Sequence, residues 1–234
     1  MKLFSLVKFG KKEHLLDFLI HGKLHFSALQ ELRKNSDEDV EEIFRKDSVE
    51  GVTQYRSFGP TKILIPINPN QESLEVSVQN ITYWSSREFI LGNICSFYAI
   101  TTDCFVNNEL TPIDQRLNLF GSWFIVIYNF DEFINRLETT IKEIRTLGFY
   151  GNVDYFDEKN FISDLHLFKK RSRYDYQKEF RIYLQNENTT AMDIYLGNLE
   201  DIAFIAPVEA LKYFKMILNK DGSVLMEAKF DKLE

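Results

Sequence analysis

The chain is 234 residues long, 44% hydrophobic and 27% charged, a composition that supports a packed core and excludes disordered and fibrous classes. Its 28 Lys and Arg against 35 Asp and Glu give a formal charge of −7, which excludes wholesale wrapping of nucleic acid by a basic surface but leaves room for a local basic patch. Phe 21 and Tyr 11 stand against Gly 10 and Pro 5, which points to one compact body of strands and helices with little linker.

Leu3 to Phe9 reads as a first strand, and Gly10-Lys11-Lys12 turns it into a short helix with Leu15, Leu16, Leu19 and Ile20 at helical spacing. Gly22 is placed to end that helix in the left-handed conformation. Leu24-His25-Phe26 predicts a short strand and Ala28 to Lys34 a second short helix. Residues 35–50 carry Asp37, Glu38, Asp39, Glu41, Glu42 and Asp47 with few apolar anchors, the pattern of a mobile acidic flap. Ile63 to Ile67 predicts a strand, and Leu74, Val76 and Val78 alternate with polar residues as in a half-buried one.

Ile94 to Thr101 and Trp123 to Tyr128 are apolar enough to be central strands. The longest helix follows, with Asp131 as its expected N-cap, a stripe of Phe133, Ile134, Leu137, Ile141 and Ile144, and Gly148 as its close. The remainder predicts strands over Tyr150 to Phe156, Tyr176 to Leu184, Ile194 to Leu196 and Ile202 to Ile205, a helix over Val208 to Ile217, and a hairpin through Asp221-Gly222. Strands outnumber helices without alternating with them. The expectation is therefore an α+β fold, one domain over 1–234, with a mixed or antiparallel sheet core and flanking helices.

The sequence lacks the dinucleotide and phosphate glycine motifs, His-Glu-x-x-His and Gly-x-Ser-x-Gly. Cys95 and Cys104 are too few for a disulfide scaffold and fit a reducing cytoplasm, with Cys95 expected to be inert in an apolar strand. Lys8 interrupts the N-terminal apolar run before it reaches the length of a signal peptide, and no stretch approaches the roughly 20 apolar residues that span a bilayer, so no membrane association is expected. His21 and His25 are four apart, but Gly22 breaks the helix that would align them, and no metal site is expected.

The most informative segment is Tyr176 to Leu184. On a strand, Gln177, Glu179, Arg181 and Tyr183 share one face while Tyr176, Phe180, Ile182 and Leu184 share the other. That face is either a rigidly held, ligand-ordering carboxylate beside an amide and a guanidinium, or an exposed surface with an ion pair of little energetic value. Just before it, Lys169, Lys170, Arg171 and Arg173 form a basic run suited to phosphates or to solvent.

Leu6-Val7-Lys8-Phe9, Gly22-Lys23-Leu24-His25-Phe26-Ser27, Ile94-Cys95-Ser96-Phe97, Phe120-Gly121-Ser122-Trp123 and Gly151-Asn152-Val153-Asp154-Tyr155, with Tyr174 to Ile182 and Leu196-Gly197-x-Leu199-x-Asp201-Ile202, resemble a family of poorly characterised bacterial and phage proteins that are similar to the ADP-ribosyltransferase fold. The resemblance implies a basic residue on the first strand, here Lys8; a Ser or Tyr on a middle strand, here Ser96 with Tyr98 as the alternative; and a late-strand glutamate, here Glu179, with Gln177 two residues before it. It further implies NAD as substrate, a protein or nucleic-acid target, and a place in bacterial or phage conflict as a toxin or anti-defence factor. Under that resemblance Lys8, Tyr98, Arg181, Lys169 and Lys170 would contact the dinucleotide, while Glu179, Ser96 and Gln177 would act at the ribose. The alternative is a non-catalytic relative that recognises a protein or nucleotide. Glu179→Gln is expected to lower turnover about 10²- to 10⁴-fold with little change in folding.

Overall fold

A run that is apolar at nearly every position suits a strand covered on both faces, and the two such runs here form inner strands of an eight-stranded antiparallel sheet. The computed structural model describes residues 2–34, 52, 54–66, 73–85, 91–159, 162–188 and 190–228. Its main sheet comprises β1 (Leu3–Gly10), β2 (Lys23–Ala28), β3 (Asn93–Thr101), β4 (Trp123–Ile127), β5 (Gly148–Asn152), β6 (Glu179–Leu184), β7 (Met192–Tyr195) and β8 (Ala203–Pro207). The order across it is β5-β6-β3-β1-β4-β8, with β2 beside the start of β3 and β7 beyond β2. Helices α1 (Lys12–His21) and α3 (Phe130–Glu143) cover one face, where Phe18, Leu19, Phe133 and Leu137 pack on Leu6, Phe97, Ile125, Phe180 and Ile182; the short α2 (Leu29–Lys34) follows β2. On the other face Val7, Tyr98, Ile100 and Phe124 meet Leu117, Tyr174, Tyr176 and Phe214. This is an α+β protein with a mostly antiparallel sheet; Asp154–Phe156 and Lys169–Arg171 form a parallel pair beside it. No helix among the described residues is long and apolar enough to cross a membrane.

The feature that positions the site is a split. The end of β3 pairs with β1 through Tyr98 to Thr101, but its start pairs with β2 through Asn93 and Ile94. Cys95, Ser96 and Phe97, between the two pairings, have a strand ladder with β6 alone, while Lys8, Phe9 and Gly10 follow β4 away from them. Helix α1 connects the diverging strands and ends at Gly22, which is left-handed with φ 67°. The chain returning after β7 packs closely there: the Leu196 N–H donates to the Gly22 carbonyl at 3.1 Å.

Several sequence expectations are corrected. The helix N-cap is Asn129, whose side chain accepts from the Glu132 N–H, and not Asp131; the helix ends at Glu143, before Gly148. Gly148 instead begins β5, where a Cβ would press on the ends of the Ile141 and Leu184 side chains. The strand expected over Tyr150 to Phe156 is two, because the Val153 N–H turns to the Glu179 carbonyl and the Asp154 N–H to the Phe168 carbonyl, each at 2.8 Å. The strand expected from Tyr176 starts only at Glu179: Ser172–Gln177 is a 3-10 turn and Lys178 is left-handed with φ 38°, so Tyr176 packs on the opposite side of the sheet from Phe180. Val208 to Ile217 is a short 3-10 turn followed by the strand Phe214–Leu218, whose alternate residues Phe214 and Met216 are buried. Ser73–Val78, paired with Thr61–Pro66, is half-buried at Val76 and Val78 as expected but leaves Leu74 exposed, and Ile63, Leu64 and Ile65 of its partner are exposed as well. The acidic segment 35–50 lies outside the described residues.

A Cβ at position 22 would lie 2.4 Å from the Gly197 carbonyl oxygen in a conformation that L-residues avoid. Gly22→Ala is therefore expected to destabilise the protein by at least about 1–2 kcal/mol, the cost of the left-handed backbone alone, as measured by urea denaturation; unchanged stability would contradict the tight docking of this helix end.

Candidate active site at the split in the sheet

All six residues of β6 are buried, so its outward-reading charged residues face protein. Glu179, 4% exposed, and Arg181, 0% exposed, lie on the same face of the sheet as Ser96, which is paired with Arg181 across the strands. A buried charge persists only when paired, and here every neighbour contributes. The Glu179 Oε1 accepts from Ser96 Oγ at 2.5 Å and from Arg181 Nε at 2.7 Å; its Oε2 accepts from Lys170 Nζ at 2.9 Å. Lys170 Nζ also donates to Gln177 Oε1 at 2.7 Å, which orients that amide. The main chain is pinned as well, since the Glu179 N–H donates to the Tyr155 hydroxyl at 2.8 Å. Burial opposes ionisation of Glu179, but the adjacent Arg181 and Lys170 charges and the hydrogen bonds outweigh it and hold the carboxyl well below its ordinary range.

By strand alternation Lys8 belongs to the opposite face, with Cys95 and Phe97. Because the ladder is open between Lys8–Gly10 and Cys95–Phe97, side chains from both faces reach one cavity. It has a volume of about 790 Å³, and Lys8, Cys95, Ser96, Lys170, Gln177, Glu179 and Arg181 all line it. Lys8 Nζ donates to the Ser96 carbonyl at 2.9 Å, contacts Cys95 Sγ at 3.4 Å and sits 4.9 Å from the centre of the Phe97 ring. Among the described residues no carboxylate pairs with it. Towards solvent the cavity is bordered by His14, Asp17, Lys23 and His25, where Lys23 Nζ bridges Asp17 and Asp193 at 3.4 Å each and those carboxylates hold His21 and His25.

Of the residues singled out in the sequence, Lys8, Ser96, Gln177, Glu179, Arg181 and Lys170 come together. Tyr98 pairs with Glu179 in register and lines a smaller adjoining cavity of about 90 Å³; burial, then Cys104, push its phenol up, so it stays neutral. Lys169 does not line the cleft. The basic run is not an open patch: Lys170 turns inward to Glu179, and Arg171 and Arg173 both meet Glu158. Arg181 is wholly buried, bonded to Glu179 and to the Leu167 carbonyl, which suits a residue that positions Glu179 more than one that touches phosphate. Sequence reasoning missed Tyr155 and the place of Cys95 in the cleft; the only signal for the latter was its adjacency to Ser96. Among the described residues no cluster of His, Cys, Asp and Glu could hold a metal ion.

Comparison with protein-family models, curated proteins and solved structures finds no match.

Two measurements test this electrostatic arrangement. Because the Glu179 carboxyl is depressed in the folded state, its stabilisation is present above the unfolded value of about 4.3 and is lost as pH falls through the lower folded value. The unfolding free energy should fall as pH drops from about 5 toward 2, and fall less steeply in Glu179→Gln; identical slopes would contradict the assignment. Arg181→Met, which takes from buried Glu179 one of its two cations and leaves only Lys170 and Ser96 on the carboxylate, should cost up to about 3–5 kcal/mol in denaturant unfolding.

Proposed function

We propose that the cleft binds NAD and that the protein is an ADP-ribosyltransferase, breaking the bond between nicotinamide and ribose and passing ADP-ribose to a protein or nucleic-acid target. The observation that carries this reading is the meeting of Lys8, Ser96 and Glu179, from three strands, in one cleft at the point where the sheet divides. Its volume falls within the usual range for ligand sites, roughly 300–1,000 Å³.

The chemistry fits these groups. Loss of nicotinamide leaves positive charge on the ribose, and an ionised carboxylate fixed in a dry site stabilises that charge without having to reorganise. Glu179 is such a group, kept ionised by Arg181 and Lys170. Ser96 holds one carboxylate oxygen and can exchange that bond for a ribose hydroxyl. Gln177, with its oxygen taken by Lys170, donates from its amide nitrogen to the Tyr176 hydroxyl at 3.3 Å. Lys8, without a carboxylate partner among the described residues, supplies a cation for the diphosphate.

A second reading is favoured by one specific observation: both oxygens of Glu179 are already bonded and the residue is 4% exposed. On that reading the cluster is a rigid floor, and the protein recognises a nucleotide or a protein without catalysis.

Chromatographic detection of nicotinamide release from NAD, with and without added protein and RNA, separates the two. The transferase reading expects release that falls about 10²- to 10⁴-fold in Glu179→Gln, the range for loss of one positioned catalytic group. The earlier expectation that this variant folds normally does not survive the structure, since it leaves two buried cations facing a neutral amide. Circular dichroism must therefore accompany it, and Ser96→Ala serves as the milder variant. Release unchanged in both folded variants would overturn the assignment; an NAD-induced rise in Tm without release would favour the binding module.

A further inference from the structure

Cys95 has no part in the proposed chemistry, yet it lines the cleft with its sulfur 3.4 Å from Lys8 Nζ. The lysine is held in that position from other sides, by the Ser96 carbonyl at 2.9 Å and the Phe97 ring, and no carboxylate among the described residues competes for it. Thiol and amine belong to β3 and β1, at the place where those strands have lost their mutual ladder. A covalent bond between them would therefore close the split that the backbone leaves open.

We propose that Lys8 and Cys95 form a reversible sulfur–nitrogen cross-link, a sulfenamide, when hydrogen peroxide enters the cleft. The thiolate of Cys95 attacks one peroxide oxygen and the O–O bond breaks; the departing hydroxide takes a proton from the adjacent Lys8 ammonium and leaves as water, and the sulfur is oxidised to sulfenic acid. The neutral amine of Lys8 then attacks that sulfur, the S–O bond breaks, and the departing hydroxide takes a proton from the nitrogen as a second water. The balance is thiol plus amine plus hydrogen peroxide giving S–N bond plus two waters, with sulfur oxidised by two electrons and peroxide reduced. Burial pushes the Cys95 thiol up, with Lys8 opposing it, so the thiolate is the minor form and its attack on peroxide is slow. Its product removes the Lys8 charge and ties β1 to β3 across the split. A dithiol reductant reverses it by attack on the sulfenyl sulfur.

The chain's other cysteine gives an internal control. Cys104 Sγ also lies 3.4 Å from a lysine, Lys178, but Cys104 lines neither cavity and is 0% exposed. A Cys95–Cys104 disulfide would give the same loss of two hydrogens, so the test is made on peptides as well as intact protein.

The full chain, reduced and then treated with hydrogen peroxide, is digested and analysed by tandem mass spectrometry. The expected result is a peptide pair joined through Lys8 and Cys95, lighter by two hydrogens, present in Cys104→Ser, absent in Lys8→Gln and Cys95→Ser, and removed by dithiothreitol. If Cys104→Ser fails to fold, direct sequencing of the wild-type cross-link decides. Trapping of Cys95 by a sulfenic-acid reagent to the same extent in wild type and Lys8→Gln, a Cys95–Cys104 disulfide, or a link confined to Cys104 would each overturn the proposal. None of these readouts depends on transferase activity, so failure here and failure of the transferase reading are distinguishable.

Discussion

One carboxylate organises this molecule. Placing Glu179 on a strand with every residue buried is unfavourable unless its charge is matched at close range, and the fold is arranged around that requirement. Arg181 comes from the same strand two residues on, Ser96 from the neighbouring strand, and Lys170 from the short parallel pair that precedes β6. The left-handed Lys178 and the Tyr155 hydroxyl then fix where the strand begins. Each partner is itself tied to something else, Lys170 to Gln177 and Arg181 to the Leu167 carbonyl. A cluster of this kind is rigid because no member can move without leaving a buried charge exposed to low dielectric.

Rigidity on one side makes the opening on the other useful. Strand β3 pairs with β6 from Asn93 to Tyr98 but shares its second edge between β1 and β2. A cleft formed by divergence of two strands from a common third is lined by backbone-anchored side chains rather than by loop residues, which are held less precisely. Lys8 and Ser96 gain their positions in this way. The cations of the cleft and the acidic groups at its border give it a mixed electrostatic character that the net charge of −7 does not reveal.

Much of the fold was legible in the sequence. The apolar runs that became β3 and β4, the stripe of α3 and the left-handed Gly22 follow from periodicity and backbone sterics, which are local. Strand alternation also put Glu179 and Arg181 on one face, as they are. What escaped was non-local. Nothing near Lys170 in sequence says that its ammonium turns inward to a carboxylate, while Arg171 and Arg173 turn to Glu158. Alternation could not tell an exposed charged face from a buried one, because that depends on what packs over Glu179 and Arg181. A left-handed lysine at position 178 carries no glycine signal, so the start of β6 was misplaced, and the strand Phe214–Leu218 was hidden in a stretch that also reads as a helix.

The proposed role of the split is tested most directly by a crystal structure of the protein with a non-hydrolysable NAD analogue. The arrangement described here predicts the dinucleotide in the cleft between Lys8 and Glu179, with its ribose within hydrogen-bond reach of Ser96 or the Glu179 carboxylate and its diphosphate toward Lys8. A cleft left empty at saturating analogue, or an analogue bound away from these three residues, would contradict it.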